Sequence, residues 1–86
     1  MAMPKFNFTE NSEAIFDMAV AETPFPFRKT TRNGLIELLL EAYGEDGAIT
    51  EAGIVEIIKK NTPKPFLARG MKVIKPLLAD PSLAEL

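Results

Sequence analysis

The chain has 86 residues, the size of one domain, with 47% hydrophobic residues and a formal net charge of -2. It has no cysteine and no histidine, which excludes disulfides, thiolate–metal centres and a Ser–His catalytic triad. No stretch approaches the roughly 20 apolar residues of a membrane span. Met1 to Lys5 do not lead into an apolar run of signal-peptide length, so the expected setting is the cytoplasm.

The pattern predicts an all-α fold of about four helices. Asn11 or Ser12 caps the first helix, with Glu13 in its first turn and Ile15, Met18 and Ala19 as its apolar stripe. Thr23-Pro24 ends it, because a residue before proline avoids the α region. The stretch Thr23-Pro24-Phe25-Pro26-Phe27 is expected to be extended. A second helix runs from about Arg28 to Tyr43, with Leu35, Leu38, Leu39 and Ala42 as its buried face and Ile36, Leu40 and Tyr43 widening it. Gly44 suits the position just past a helix end, and Glu45-Asp46-Gly47 reads as a turn. Thr50 caps a third helix carrying Ile54, Ile57 and Ile58, closed by Asn61-Thr62-Pro63. A fourth helix presents Leu67, Met71, Ile74 and Leu78, and Pro76 is expected to kink it or end it one residue earlier.

These helices form an internal repeat. Thr23-Pro24-Phe25-Pro26-Phe27 recurs as Thr62-Pro63-Lys64-Pro65-Phe66, an offset of 39 residues that also aligns Ile15 with Ile54, Leu35 with Ile74 and Leu39 with Leu78. A period near 40 is typical of helix-pair units. Two helix–loop–helix units, about 11–46 and 50–81, are therefore expected to pack by an approximate twofold relation. Residues 1–9 and 82–86 are expected to be loosely ordered, and no strands are expected. The alternative packing for two such units is a homodimer.

Charge falls in blocks. Arg28, Lys29 and Arg32 open the second helix while Glu37 and Glu41 sit toward its end, the reverse of what the helix dipole favours. Cations at a helix start suit a phosphate or carboxylate. Arg69 and Lys72, with Lys75, repeat the pattern on the fourth helix. Phe25, Phe27 and Phe66 could pave an apolar surface beside them, or pack the loops onto the core. The candidate ligand site is therefore Arg28, Lys29, Arg32, Arg69, Lys72, Phe25, Phe27 and Phe66, for a ligand with an apolar body and anionic arms. Against this stands a solvated or internally paired set of charges. Arg28 and Arg69 are expected at equivalent places, in the first turns of the second and fourth helices. A second possibility is nucleic acid bound by the basic run Lys59 to Lys75, which an isoelectric point near 5.1 disfavours. Glu37 and Glu41 alone make a poor cation site. No cofactor, metal or catalytic residue is expected.

Several of these residues carry a family resemblance. Pro24-Phe25-Pro26-Phe27-Arg28, then Arg32, Glu37, Gly44 and Ile49-Thr50, resemble the small C-terminal domain of the B subunit of light-independent protochlorophyllide reductase. Pro65-Phe66-Leu67-Ala68-Arg69 echoes the core of that pattern. The tryptophan frequent near the family's first helix is missing, with Phe16 in its neighbourhood, and the large cluster-bearing body of the enzyme is absent. The resemblance implies a stand-alone, non-catalytic accessory domain that contacts an anionic tetrapyrrole or a nitrogenase-like reductase protein.

Overall fold

The structure, a computed structural model, describes residues 4–86. It is mainly helical: α1 (Ser12–Glu22), α2 (Arg28–Tyr43), α3 (Glu51–Asn61) and α4 (Lys64–Ile74). Short 3-10 turns occupy Phe25–Phe27, Lys75–Leu77 and Pro81–Ala84. Most helix ends follow from local chemistry. Thr50 accepts a hydrogen bond from the Gly53 N–H and starts α3. Gly44, at φ 70°, lets the chain leave α2 in the left-handed region. Pro76 has no N–H to give the Lys72 carbonyl four residues back and crowds it, so α4 stops at Ile74 and the chain tightens into a 3-10 turn. Asn11 holds the N-cap position of α1 without a side-chain cap, its amide instead donating to the Leu77 carbonyl at 2.9 Å.

Two strands correct the strand-free expectation. β1 (Asn7–Phe8) pairs in parallel with β2 (Ala48–Ile49), Asn7 opposite Ala48 and Phe8 opposite Ile49. Two-residue strands are too short to leave an alternating pattern. Each leads through a threonine toward a helix of its own unit, α1 or α3. The Ile49 carbonyl ties the junction, accepting from the Thr9 N–H, the Thr9 hydroxyl and the Ser12 hydroxyl at 2.8–2.9 Å.

The repeat is visible in the helices. α1 and α3 have 11 residues each, and their first residues, Ser12 and Glu51, are 39 apart. The aligned pairs Ile15 and Ile54, Phe16 and Val55, Leu35 and Ile74, and Leu39 and Leu78 are all buried. α1 packs against α2, α3 and α4, and α2 against α3. Exchanging the units turns the α1–α4 contact into the α3–α2 contact, whereas the α1–α2 contact has no counterpart of like extent between α3 and α4. The two Thr-Pro segments agree in part. Pro24 and Pro63 have nearly the same dihedrals, and Phe27 and Phe66 donate to their carbonyls alike. They differ in the following turn, which is 3-10 before α2 but belongs to α4 itself in the second unit, so neither segment is extended throughout.

Three expectations need correction. Ala42 is exposed and Leu38 half-buried, so the buried face of α2 is Leu35, Ile36 and Leu39. Of residues 1–9, the first three lie outside the described residues, and the rest pack against the fold. Phe6 meets Phe8 edge-on with centroids 5.8 Å apart, and Phe8 lies 6.0 Å from Phe16. At the other end Ala84 is buried and Leu83 packs on the core, while Asp80 caps the last turn, its side chain accepting from the Ser82 N–H.

Gly47 is needed for close approach. A Cβ there would lie 2.2 Å from the Tyr43 carbonyl oxygen. Gly47→Ala is expected to cost about 1–3 kcal/mol as the turn after α2 is forced outward, read as a lower urea midpoint at unchanged m-value. A midpoint within error of the parent would show that the turn yields freely.

Candidate functional site: an apolar groove between the repeats

α1 and α3 both end at a Thr-Pro step, and α2 and α4 both leave from one. Four helix ends thereby surround a groove of about 430 Å³. It is lined by Thr23-Pro24 and Thr62-Pro63 and by the exposed Phe27 and Phe66. Leu35 and Ile74 reach it from α2 and α4, and Ala19 and Ile58 from α1 and α3. Glu22 and Asn61 form another equivalent pair, as do Thr31 and Gly70. Fourteen of the sixteen lining residues are thus seven pairs at the offset of 39; Gly34 and Leu38 are the other two. The groove is therefore built equally by both units.

Phe27 is 61% exposed and Phe66 57%. Large aromatic side chains contribute most when buried, so two of them exposed on a concave apolar surface indicate a contact surface. The glycines say the same. Gly34 and Gly70 lie inside α2 and α4, where glycine costs about 1 kcal/mol relative to alanine. A Cβ at either would meet nothing within 4 Å. Neither internal packing nor backbone conformation requires them, and what they keep open is the groove.

The sequence-predicted site is only partly assembled. Phe27 and Phe66 line the groove. Phe25, 81% exposed, does not, and Arg28 lies over its ring at 5.8 Å. Arg28 opens α2 but turns back onto the end of α1. Its Nε donates to the Thr23 carbonyl at 2.9 Å and its Nη2 to the Ala21 carbonyl at 3.0 Å. It satisfies terminal carbonyls that α1 leaves unpaired. Arg69 is the sixth residue of α4, outside its first turn, and at the offset of 39 the equivalent of Arg28 is Leu67. Lys29, Arg32, Arg69 and Lys72 do not line the groove either. Its one charged lining residue is Glu22, which has the sign opposite to the expected site. Sequence reasoning passed over Gly34, Gly70 and Glu22, although the offset that aligns the Thr-Pro steps also pairs Glu22 with Asn61.

Removing Arg28 should therefore act on stability. Arg28→Ala is expected to lower it by about 1 kcal/mol through lost carbonyl capping. Lys29→Ala and Arg69→Ala should leave it within about 0.5 kcal/mol. Thermal melts of the three variants separate the cases; equal melting temperatures would deny Arg28 its capping role.

The basic run ending at Lys75 is partly engaged. Lys59 donates to the Glu85 carbonyl, and Lys60 pairs with Glu56 at 2.9 Å on the surface. That pair, a hydrogen bond before simple charge attraction, draws the Glu56 carboxyl below its ordinary range. Among the described residues no three acidic side chains gather in a metal-binding arrangement, and no helix is long and apolar enough to cross a membrane. Compared with known protein families, curated proteins and solved structures, the chain matches none.

Proposed function

We propose that this chain is a non-catalytic binding module whose binding site is the groove between the two Thr-Pro steps. The observation that carries the reading is the pair of helix-interior glycines, Gly34 and Gly70, with open space above them and exposed Phe27 and Phe66 beside them. Natural sequences give up local stability where function needs space.

The resemblance supplies two candidate occupants, a tetrapyrrole or a nitrogenase-like reductase. The groove favours the apolar part of either, since Phe27 and Phe66 suit a flat apolar face. It does not favour propionate arms, since no arginine or lysine lines it. Titration with protoporphyrin, followed by absorbance and by amide shifts, tests the tetrapyrrole. Shifts confined to the two Thr-Pro steps and to Gly34 and Gly70 support it, and none at high micromolar ligand removes it.

The module reading has its own test. Gly34→Ala with Gly70→Ala should raise stability by about 1–2 kcal/mol, through helix propensity at two sites. The same pair should weaken binding of a neutral apolar fluorophore such as N-phenyl-1-naphthylamine, because each methyl enters the groove. A stabilised double variant that binds the fluorophore as the parent does would move the site elsewhere.

A further inference from the structure

We propose that the ligand of this groove is an apolar small molecule with one cationic end, oriented by Glu22. The proposal rests on the groove being a binding site and adds the chemistry of what it takes. A space of about 430 Å³ is in the range of small-molecule sites. Much of the apolar lining is paired between the units, with Pro24 answered by Pro63 and Phe27 by Phe66, while Ala19 is answered by the larger Ile58 and Gly34 and Leu38 have no counterpart. An apolar rod therefore meets the same prolines and phenylalanines in either direction. The equivalence breaks in charge at one position only, where Glu22 of the first unit stands against Asn61 of the second. Orientation is therefore set by charge, and the charge is negative.

The neighbouring polar groups have the same sense. The Thr23 hydroxyl spends its hydrogen on the Ala19 carbonyl at 3.0 Å, and the Asn61 amide donates to the Ile57 carbonyl at 2.8 Å. Both keep oxygen acceptors. α1 and α3 finish at the groove and α2 and α4 begin there, so the opposed partial charges of the helix ends offset one another and leave Glu22 as the full charge of the groove. The nearest cation along the chain, Arg28, is committed to the Ala21 and Thr23 carbonyls and makes no ion pair with Glu22. An ammonium beside Glu22 gains an opposite charge and acceptors. A carboxylate there meets repulsion from Glu22, offset only by neutral donors such as the Thr31 and Thr62 hydroxyls.

The experiment compares three probes of one chain length, decyltrimethylammonium, decanoate and the neutral decanol, each below its aggregation concentration. Binding to the full chain is read by calorimetry and by amide shifts. In the parent the ammonium should bind about tenfold tighter than decanoate, with decanol between, since an exposed charge contributes modestly and acts here with opposite signs. Glu22→Gln should bring the three together without changing the affinity for decanol. Asn61→Asp should widen the preference for the ammonium. Decanoate binding as tightly as the ammonium, or a preference that survives Glu22→Gln, overturns the proposal. If all three probes bind alike, and Gly34→Ala with Gly70→Ala weakens all three, the groove remains a site and only the cationic end is lost. If none binds, both readings fall.

Discussion

Glu51→Ala is expected to lose about 2–5 kcal/mol, enough to unfold a sizeable share of a domain this small at physiological temperature. Glu51 is a carboxylate only 4% exposed. One oxygen accepts the Asn11 N–H at 3.1 Å, at the start of α1. The other accepts the Ala79 N–H at 2.8 Å, in the segment that follows α4. Its own N–H, at the start of α3, donates to the Glu10 carboxylate at 3.0 Å. One residue thus joins three chain segments that are far apart in sequence. Glu10 reaches it from φ 56°, a left-handed backbone that a non-glycine residue adopts only under constraint. Alanine at 51 leaves two partly buried N–H groups without an acceptor, and each such loss costs about 1–3 kcal/mol. Glu51→Gln keeps the shape and one good acceptor, so about half the loss is expected. Urea unfolding followed by circular dichroism measures both. An alanine variant within about 0.5 kcal/mol of the parent would mean that water replaces the carboxylate freely and that the junction is held by β1 and β2 alone.

Glu51 also marks where the sequence stops being informative. As a string it is an acid in a helix first turn, like Glu13, and nothing local distinguishes the buried one from the exposed one. The helices were legible because caps and breakers act locally: Pro24 and Pro63, Gly44 and Thr50 each work through their own backbone. The repeat was legible because a shift of two residues would rotate a helical side chain by about 200° and take leucines out of the core. That is why the offset of 39 prevails and why Arg69 cannot take the place of Arg28. The buried face of α2 was less legible. Leu35, Ile36, Leu38, Leu39, Leu40, Ala42 and Tyr43 run most of the way around the helix, so periodicity does not choose among them. Packing chooses Leu35, Ile36 and Leu39 and leaves Leu38 at the groove. The candidate site was half legible. The Thr-Pro steps and Phe27 and Phe66 could be found by repetition. The arginines were misplaced because proximity in sequence to a Pro-Phe motif says nothing of side-chain direction. One residue along a helix is a turn of 100°, and it carries Arg28 away from the groove that Phe27 faces.

Four of the six phenylalanines should give opposite results when truncated, and the contrast decides whether the groove is a site or a packing flaw. Phe16 is 1% exposed and packs beside Phe8 inside the core. Phe16→Ala is expected to cost about 3–5 kcal/mol, through lost transfer energy and the cavity left behind. Because a domain of this length buries a smaller fraction of its surface than a larger one and has a thin stability margin, that loss should leave it largely unfolded. Phe27→Ala and Phe66→Ala remove side chains that are more than half exposed, so each should stay within about 0.5 kcal/mol of the parent. Phe25→Ala should lose only the stacking with Arg28, about 0.5 kcal/mol. Binding should run the other way. Phe27→Ala and Phe66→Ala should each weaken an apolar probe about fivefold to tenfold, since a partly buried aromatic contact is worth about 1 kcal/mol. Phe25→Ala should leave binding unchanged. Parallel measurement of urea midpoints and probe affinity distinguishes the cases. If Phe27→Ala and Phe66→Ala destabilise the fold by several kcal/mol, the Thr-Pro steps are packed onto the core by these rings, and the groove is a seam between the repeats. If they leave both stability and probe binding untouched, the probe binds elsewhere, and these phenylalanines play no part in it.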